Sequence, residues 1–266
     1  MSALDWSSPI TTAKGTTVRV LQGGAGDDVL FFHGAGGMTG CDDLLSRLAQ
    51  SYRVHAPELP GYGESSGEEL LEDMLDFTLH GWDVADALGL DRPHLVGHSM
   101  GGMMAGEMAS VDNRRARSLS LIAPAGMWMD EHPIADIFTA LPHELPGLLF
   151  HDPAAGAAAL TGGVDFSDMD ALVAFFIDNA RRLGTAGKML FPIPNRRLSK
   201  RIYRLTTPTV IVWGESDNLI PPVYAQRWQS LIPGSSVVMV GEAGHMVLTE
   251  RPDEVVTAIE KHLGDC

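Results

Sequence analysis

The chain has 266 residues and a formal net charge of −15, with 45% hydrophobic and 20% charged residues. That length suits one large α/β domain or two small ones and is ample for a buried core. The acidic balance argues against nucleic acid as a partner and against an anionic membrane surface. Two cysteines, Cys41 and Cys266, are far apart and allow neither a disulfide framework nor a zinc spacing. Residues 1–15 lack a charged-then-apolar leader, and no apolar run is long enough to span a bilayer. With free thiols, this points to a cytoplasmic protein.

In chain order, residues 16–21 alternate and read as an edge strand. Residues 29–32 form a continuous apolar run, as in a strand covered on both faces. The Gly-rich loop His33-Gly34-Ala35-Gly36-Gly37 follows, then a helix over 42–51 with Leu44, Leu45 and Leu48 at helical spacing. A short strand at 53–56 ends in the turn-rich run Pro57-Glu58-Leu59-Pro60-Gly61-Tyr62-Gly63-Glu64-Ser65. A long helix is expected over 69–88, with Leu71, Leu75, Leu79 and Trp82 on one stripe.

A strand at 94–96 leads into Gly97-His98-Ser99-Met100-Gly101-Gly102 and a helix-like run at 103–109. Another strand covers 117–123. Composition then changes: residues 127–203 are rich in Met, Phe, Ala and His, with helices expected at 134–141, 154–160, 168–183 and 198–204. Strand–helix alternation resumes with 209–213, 222–231, 236–240 and 252–263. Repeated βα alternation implies a doubly wound, mostly parallel sheet. A helical cap is expected after the sixth strand, giving a core of 1–126 and 206–266 and a cap of 127–205.

Strand, Gly-x-Ser-x-Gly, helix is the pattern of a nucleophile elbow, which exposes Ser99 on a sharp turn at the sheet edge. A serine hydroxyl needs a base within hydrogen-bond reach, and that base needs an orienting acid. Each belongs in a loop just past a parallel strand. Asp217 follows the run Thr209-Val210-Ile211-Val212-Trp213, and Glu215 is its rival, with a structural or solvent-facing role as the simpler reading. His245 sits in Gly241-Glu242-Ala243-Gly244-His245-Met246 after the last strand; seven of the other nine histidines are read as surface or core. Two backbone N–H groups should bind the developing oxyanion: that of Met100, at a helix N-terminus, and that of Ala35, in the Gly-rich loop. The Gly34–Gly40 run also resembles a dinucleotide phosphate loop, with Glu58 as the ribose contact. However, Gly40 comes one residue late for that pattern.

Taken together, His33-Gly34, Pro60-Gly61-Tyr62-Gly63-Glu64-Ser65, Gly97-His98-Ser99-Met100-Gly101-Gly102, Trp213-Gly214-Glu215-Ser216-Asp217 with Pro221, and Gly244-His245 resemble the α/β-hydrolase superfamily over nearly the whole chain. The resemblance implies a Ser99, His245, Asp217 triad, an oxyanion hole from Ala35 and Met100, and scaffold roles for His33 and His98. Serine at the elbow speaks against the branches with a carboxylate nucleophile. The later half is similar to carbon–carbon bond hydrolases of aromatic degradation and to enol-lactonases. Those carbon–carbon hydrolases usually carry Asn before the nucleophile and Trp after the histidine, where this chain has His98 and Met246.

Arg196, Arg197, Lys200, Arg201 and Arg204 form a basic cluster. It reads either as the solvated face of an amphipathic helix, with Leu198, Ile202 and Leu205 inward, or as the source of an arginine that grips a substrate carboxylate. The Met and Phe residues of 127–203 read mainly as packing. Trp128, Ile220 and Met246 are the candidate pocket residues. The expectation is a serine esterase for small to medium carboxylic esters, without metal or cofactor, with a homodimer as one option for its assembly. The alternatives are a carbon–carbon hydrolase or lactonase, and a non-catalytic ligand receptor on the same fold.

Overall fold

A computed structural model describes residues 4–161, 164–165 and 167–266. Eight strands form one sheet: β1 (Asp5–Trp6), β2 (Val20–Gly23), β3 (Asp28–Phe32), β4 (Arg53–Pro57), β5 (His94–His98), β6 (Leu119–Ile122), β7 (Thr209–Gly214) and β8 (Ser236–Val240). Their spatial order is β1-β2-β4-β3-β5-β6-β7-β8. The β1–β2 and β2–β4 pairs are antiparallel, and all the others are parallel. Residues 16–21 do not make one strand. Thr17–Val18 pairs with Ile10–Thr11 in a separate small hairpin, and the sheet is joined only from Val20.

The apolar strands split their side chains between two cores, as alternation requires. Leu30, Phe32, Leu95, Leu119, Leu121, Ile211 and Trp213 face one side. They pack under α2 (Met74–Ala87), α3 (Met100–Val111) and α7 (Val223–Leu231). Val29, Phe31, Val54, Val96, Val210 and Val212 face the other. There they meet α1 (Asp42–Leu48) and, further along the chain, α8 (Val247–Glu250) and α9 (Pro252–Gly264). A sheet covered on both faces has no polar alternation in its strands, which is why these runs read as continuous.

Helix α2 starts later than the periodicity suggests. Asp73 caps it, accepting the Leu75 and Asp76 N–H groups, and Glu68–Leu70 is a separate 3-10 turn. Of the expected stripe, Leu71 and Trp82 are buried but Leu75 and Leu79 are not. Leu75 and Leu79 are 57% and 47% exposed, while Met74, Phe77, Gly81, Val84 and Ala85 turn inward. Gly81 lies where α2 meets α3. A β-carbon there would lie 2.4 Å from the Met108 sulfur on α3, so the helices touch at that point.

Between β6 and β7 the described residues contain no strand. Helices α4 (Leu145–Leu149), α5 (Pro153–Thr161) and α6 (Met169–Leu190) occupy the segment. The helix expected at 134–141 is replaced by turns, because the Asp136 carboxylate accepts the Phe138 N–H at 2.9 Å and Pro142 follows. Residues 198–204 form two 3-10 turns, with Leu198 and Ile202 buried. Helix α6 is longer than expected and is buried only near its C-terminal end, at Thr185, Ala186, Met189 and Leu190. Phe176 is 57% exposed and does not pack as expected of the Phe residues here. Three cations fasten α6 to the strand-end loops. Arg181 binds Glu68 and the Gly63 and Ser65 carbonyls, Lys188 the Glu68 and Leu71 carbonyls, and Arg182 the Gly36 carbonyl. Among the described residues, no helix is long and apolar enough to cross a membrane.

Within the basic cluster, Arg201 forms an ion pair with the buried Glu107 of α3. Removing the guanidinium leaves that carboxylate buried and unpaired. Arg201→Ala is expected to lower stability by about 2–3 kcal/mol in urea denaturation, at the low end for a partly exposed pair. Glu107→Leu in the same background should recover part of the loss. A neutral Arg201→Ala would contradict the assignment.

Candidate active site

Ser99 occupies the single residue between β5 and α3, with φ 54° and ψ −114°. A non-glycine residue held there costs on the order of 1–3 kcal/mol. Hydrogen bonds lock it in place: Ser99 N–H donates to the Ile122 carbonyl, and the Ser99 carbonyl accepts from Ala125 and Met103. Two glycines make the turn sterically feasible. A β-carbon on Gly101 would lie 2.1 Å from the Phe32 carbonyl oxygen, and one on Gly97 would lie 2.4 Å from that of Gly101.

The loops after β7 and β8 bring Asp217 and His245 to this point. His245 Nε2 lies 2.8 Å from Ser99 Oγ, and His245 Nδ1 lies 2.8 Å from Asp217 Oδ2. Carboxylate oxygens accept, so Nδ1 carries the proton and Nε2 is left to accept from the hydroxyl. Asp217 is itself held by three further donors: the Leu219 and Ile220 N–H groups on Oδ1 and the Trp213 indole on Oδ2 at 3.1 Å. All three side chains are buried. Glu215, the rival acid, is exposed and takes no part.

Met100 is the first residue of α3, so its N–H has no partner within the helix. Ala35 lies in a turn closed by the Gly37 N–H on the Gly34 carbonyl. A β-carbon on Gly34 would be 3.3 Å from Ser99 Cβ, so this loop lies directly over the serine. The loop that holds Ala35 and the start of α3 at Met100 thus both lie beside Ser99.

Two buried histidines hold these loops. His33 Nδ1 donates to the Gly34 carbonyl at 2.8 Å, and its Nε2 accepts the Leu59 N–H at 3.1 Å. His98 Nε2 donates to the His245 carbonyl at 3.0 Å. Burial pushes His33 down to about 4, with Arg182 adding to the effect, and burial with neighbouring His245 pushes His98 down to about 3. Both remain neutral and act as scaffold.

Beside Ser99 opens a cleft of about 160 Å³. Its walls come from Ala125 and Trp128 after β6, Ile134–Phe138, Leu190 with Pro192–Pro194 after α6, and Leu219 and Ile220. Asp136 is the one charged residue among them. Trp128 and Ile220 therefore stand where the sequence puts them. Met246 does not: it is half-buried with its methyl toward Gly40, away from the cleft. Arg196 lines a separate depression with Asp73, Glu107 and Arg201, and neither Arg196 nor Arg197 reaches Ser99's cleft. Periodicity could not have revealed the Trp213, His98 and Arg182 contacts, because each joins segments distant in sequence or turns on one side-chain direction. Among the described residues, no group of His, Cys, Asp or Glu is arranged to hold a metal ion.

A model of the alpha/beta hydrolase family matches residues 29–258. The chain belongs to that family. Among curated members, it is similar to the dihydrolipoyllysine-residue acetyltransferase component of the acetoin cleaving system of Cupriavidus necator. The two are 31% identical over 91% of this chain, which spans only 65% of that protein's length. It is also similar to Lipase 1 of Psychrobacter immobilis, 26% identical over 92% of this chain and 80% of that one. The meta-cleavage product hydrolase from Pseudomonas fluorescens IP01 superposes with a TM-score of 0.79 at 19% identity, covering 98% of both chains. At that identity the likeness speaks to the fold alone.

The buried imidazoles of this hydrolase make its stability sensitive to acid. His33, His80 and His98 are lowered from about 6.5 to about 4, 4 and 3, with burial the main cause in each. Below pH 6.5 the unfolded chain takes up protons that the folded chain refuses. Stability is therefore full above that pH and falls progressively toward pH 4. Urea denaturation at pH 5 should show a loss on the order of 1–2 kcal/mol per histidine relative to pH 7.5. Equal stability at the two pH values would contradict the neutral assignment.

Proposed function

We propose that this chain is a serine hydrolase that cleaves small to medium carboxylic esters with neutral, apolar acyl groups. The observation that carries the reading is the 2.8 Å contact between Ser99 Oγ and an imidazole nitrogen free to accept its proton, at the mouth of an apolar cleft. Ser99 attacks the ester carbonyl while His245 takes its proton. The Ala35 and Met100 N–H groups receive the oxyanion, and losing one such donor costs about 3–4 kcal/mol of transition-state stabilisation. His245 returns the proton to the leaving alcohol. An acyl group on Ser99 Oγ remains, and water activated by His245 then releases it as the carboxylic acid. Asp217 keeps the ring in the required tautomer and stabilises the imidazolium.

The cleft sets the choice of acyl group. Apart from Ser99 and Asp136, its walls are aliphatic, aromatic and proline side chains, with Trp128 and Phe138 among them. No described lining residue is cationic, so a free carboxylate on the substrate has no partner there. Residues 127–205 serve as a cap that completes the walls. The name of the Psychrobacter relative supports ester hydrolysis.

A p-nitrophenyl ester series should show kcat/KM rising with acyl length until the cleft is filled. An added terminal carboxylate on the acyl chain should lower it. Ser99→Ala and His245→Ala should each lose about 10⁴-fold or more in kcat/KM. Turnover surviving in Ser99→Ala would overturn the mechanism. Tight binding without turnover in the wild type would favour a ligand receptor.

A further inference from the structure

Glu250 ends α8, and its carboxylate lies between two stretches of chain. One oxygen accepts the Gly244 N–H at 2.6 Å. The other accepts the His151 N–H at 2.9 Å and the Asp152 N–H at 3.3 Å. The second stretch, residues 147–152, is a strap that crosses both functional loops. Its Leu149 carbonyl accepts the Met246 N–H at 2.9 Å. Its Gly147 carbonyl accepts the Asn218 side-chain amide at 3.0 Å, and His151 Nδ1 lies 2.8 Å from Ser216 Oγ. The strap runs so close that a β-carbon on Gly244 would lie 2.7 Å from the Leu149 carbonyl oxygen.

Both neighbours of His245 are therefore held to the strap, Met246 directly and Gly244 through Glu250. The carbonyl of His245 is held from the other side by His98. We infer that Glu250 is a positioning residue for the base: it ties the His245 main chain to the 147–152 strap and so fixes where the imidazole meets Asp217 and Ser99. A carboxylate suits this place because it offers two acceptor oxygens to donors on opposite sides, and charged acceptors make the stronger bonds. A glutamine has one acceptor oxygen, so one of the two stretches would face an amide NH₂ instead. Misplacement of a reacting group by about 1 Å can cost on the order of 100-fold in rate.

The kinetic arm of the test rests on the serine-hydrolase reading. In full-length Glu250→Gln, kcat for p-nitrophenyl butyrate should fall about tenfold, a partial misplacement. KM should stay within about twofold, because Glu250 does not line the cleft. Labelling of Ser99 by a fluorophosphonate should slow in step. The ionisable groups at His245 are Asp217 and His98, whereas Glu250 meets main-chain amides and the His151 ring turns to Ser216.

A readout independent of turnover is the low-field proton resonance of the His245 Nδ1–H···Asp217 bond, expected in the wild type and shifted or broadened in Glu250→Gln. If that variant does not fold, the same measurements on Asn218→Ala, which frees the strap at Gly147, take its place. Unchanged kcat and resonance in a folded variant would overturn the inference. A wild type that shows the resonance but hydrolyses no ester would refute the hydrolase reading and leave the Glu250 assignment to be decided by the resonance alone.

Discussion

The structure depends on a steric constraint at one turn. Ser99 sits at positive φ because the chain must leave β5 and enter α3 within one residue while passing under the loop after β3. The contacts that force this are main chain on main chain, Gly101 against Phe32 and Gly97 against Gly101. No side-chain adjustment can relieve them. The strain is held by the hydrogen bonds of Ser99 to Ile122 and Ala125, which lie on the neighbouring strand and its exit. The central strands of the sheet, with their covered faces, therefore act as the frame that keeps an unfavourable backbone in place.

Around that turn the polar groups are buried and almost all are paired through chain segments remote in sequence. Asp217 takes four N–H donors, His245 is fixed at its ring and at its main chain, His33 uses a local and a distant partner, and His98 a distant one. Each such bond is individually modest, but a buried donor or acceptor left unmatched costs more than the bond gives. The network is consequently specific. It stabilises one arrangement of the loops and penalises near alternatives.

Ser99, Asp217 and His245 were legible in the sequence because each follows an unmistakable buried strand, and the ends of parallel strands meet on one edge. Ala35 and Met100 follow from the same logic. The inner strands were legible from their continuous apolar runs, whereas the two-residue strands at Asp5–Trp6 and Ile10–Thr11 carry no such run and a hairpin interrupts the pattern at 16–21. The buried face of α2 was read only in part, because Met74, Phe77, Gly81, Val84 and Ala85 turn inward in place of Leu75 and Leu79. The segment between β6 and β7 was read least well. Asx turns and 3-10 turns satisfy its backbone there, and these depend on single side-chain bonds that no periodicity encodes. Met246 and Arg196 failed as pocket residues for a related reason: proximity along the chain to a strand end or a loop does not fix the direction of a side chain.

The fold keeps two duties in separate places. Loops at the strand ends carry Ser99, Asp217 and His245, and the 123–208 segment contributes much of the cleft wall. Such separation would let one chemistry be paired with many wall shapes by exchanging that segment. The strap at 147–152 breaks the separation, since it belongs to the wall segment by sequence and to the histidine and aspartate loops by its hydrogen bonds. A graft that replaces the whole segment therefore carries away part of the support of the base, whereas one that keeps 147–152 changes only the walls. The segment that walls the cleft is thus divided in two by a short stretch hydrogen-bonded to the loops of Asp217 and His245.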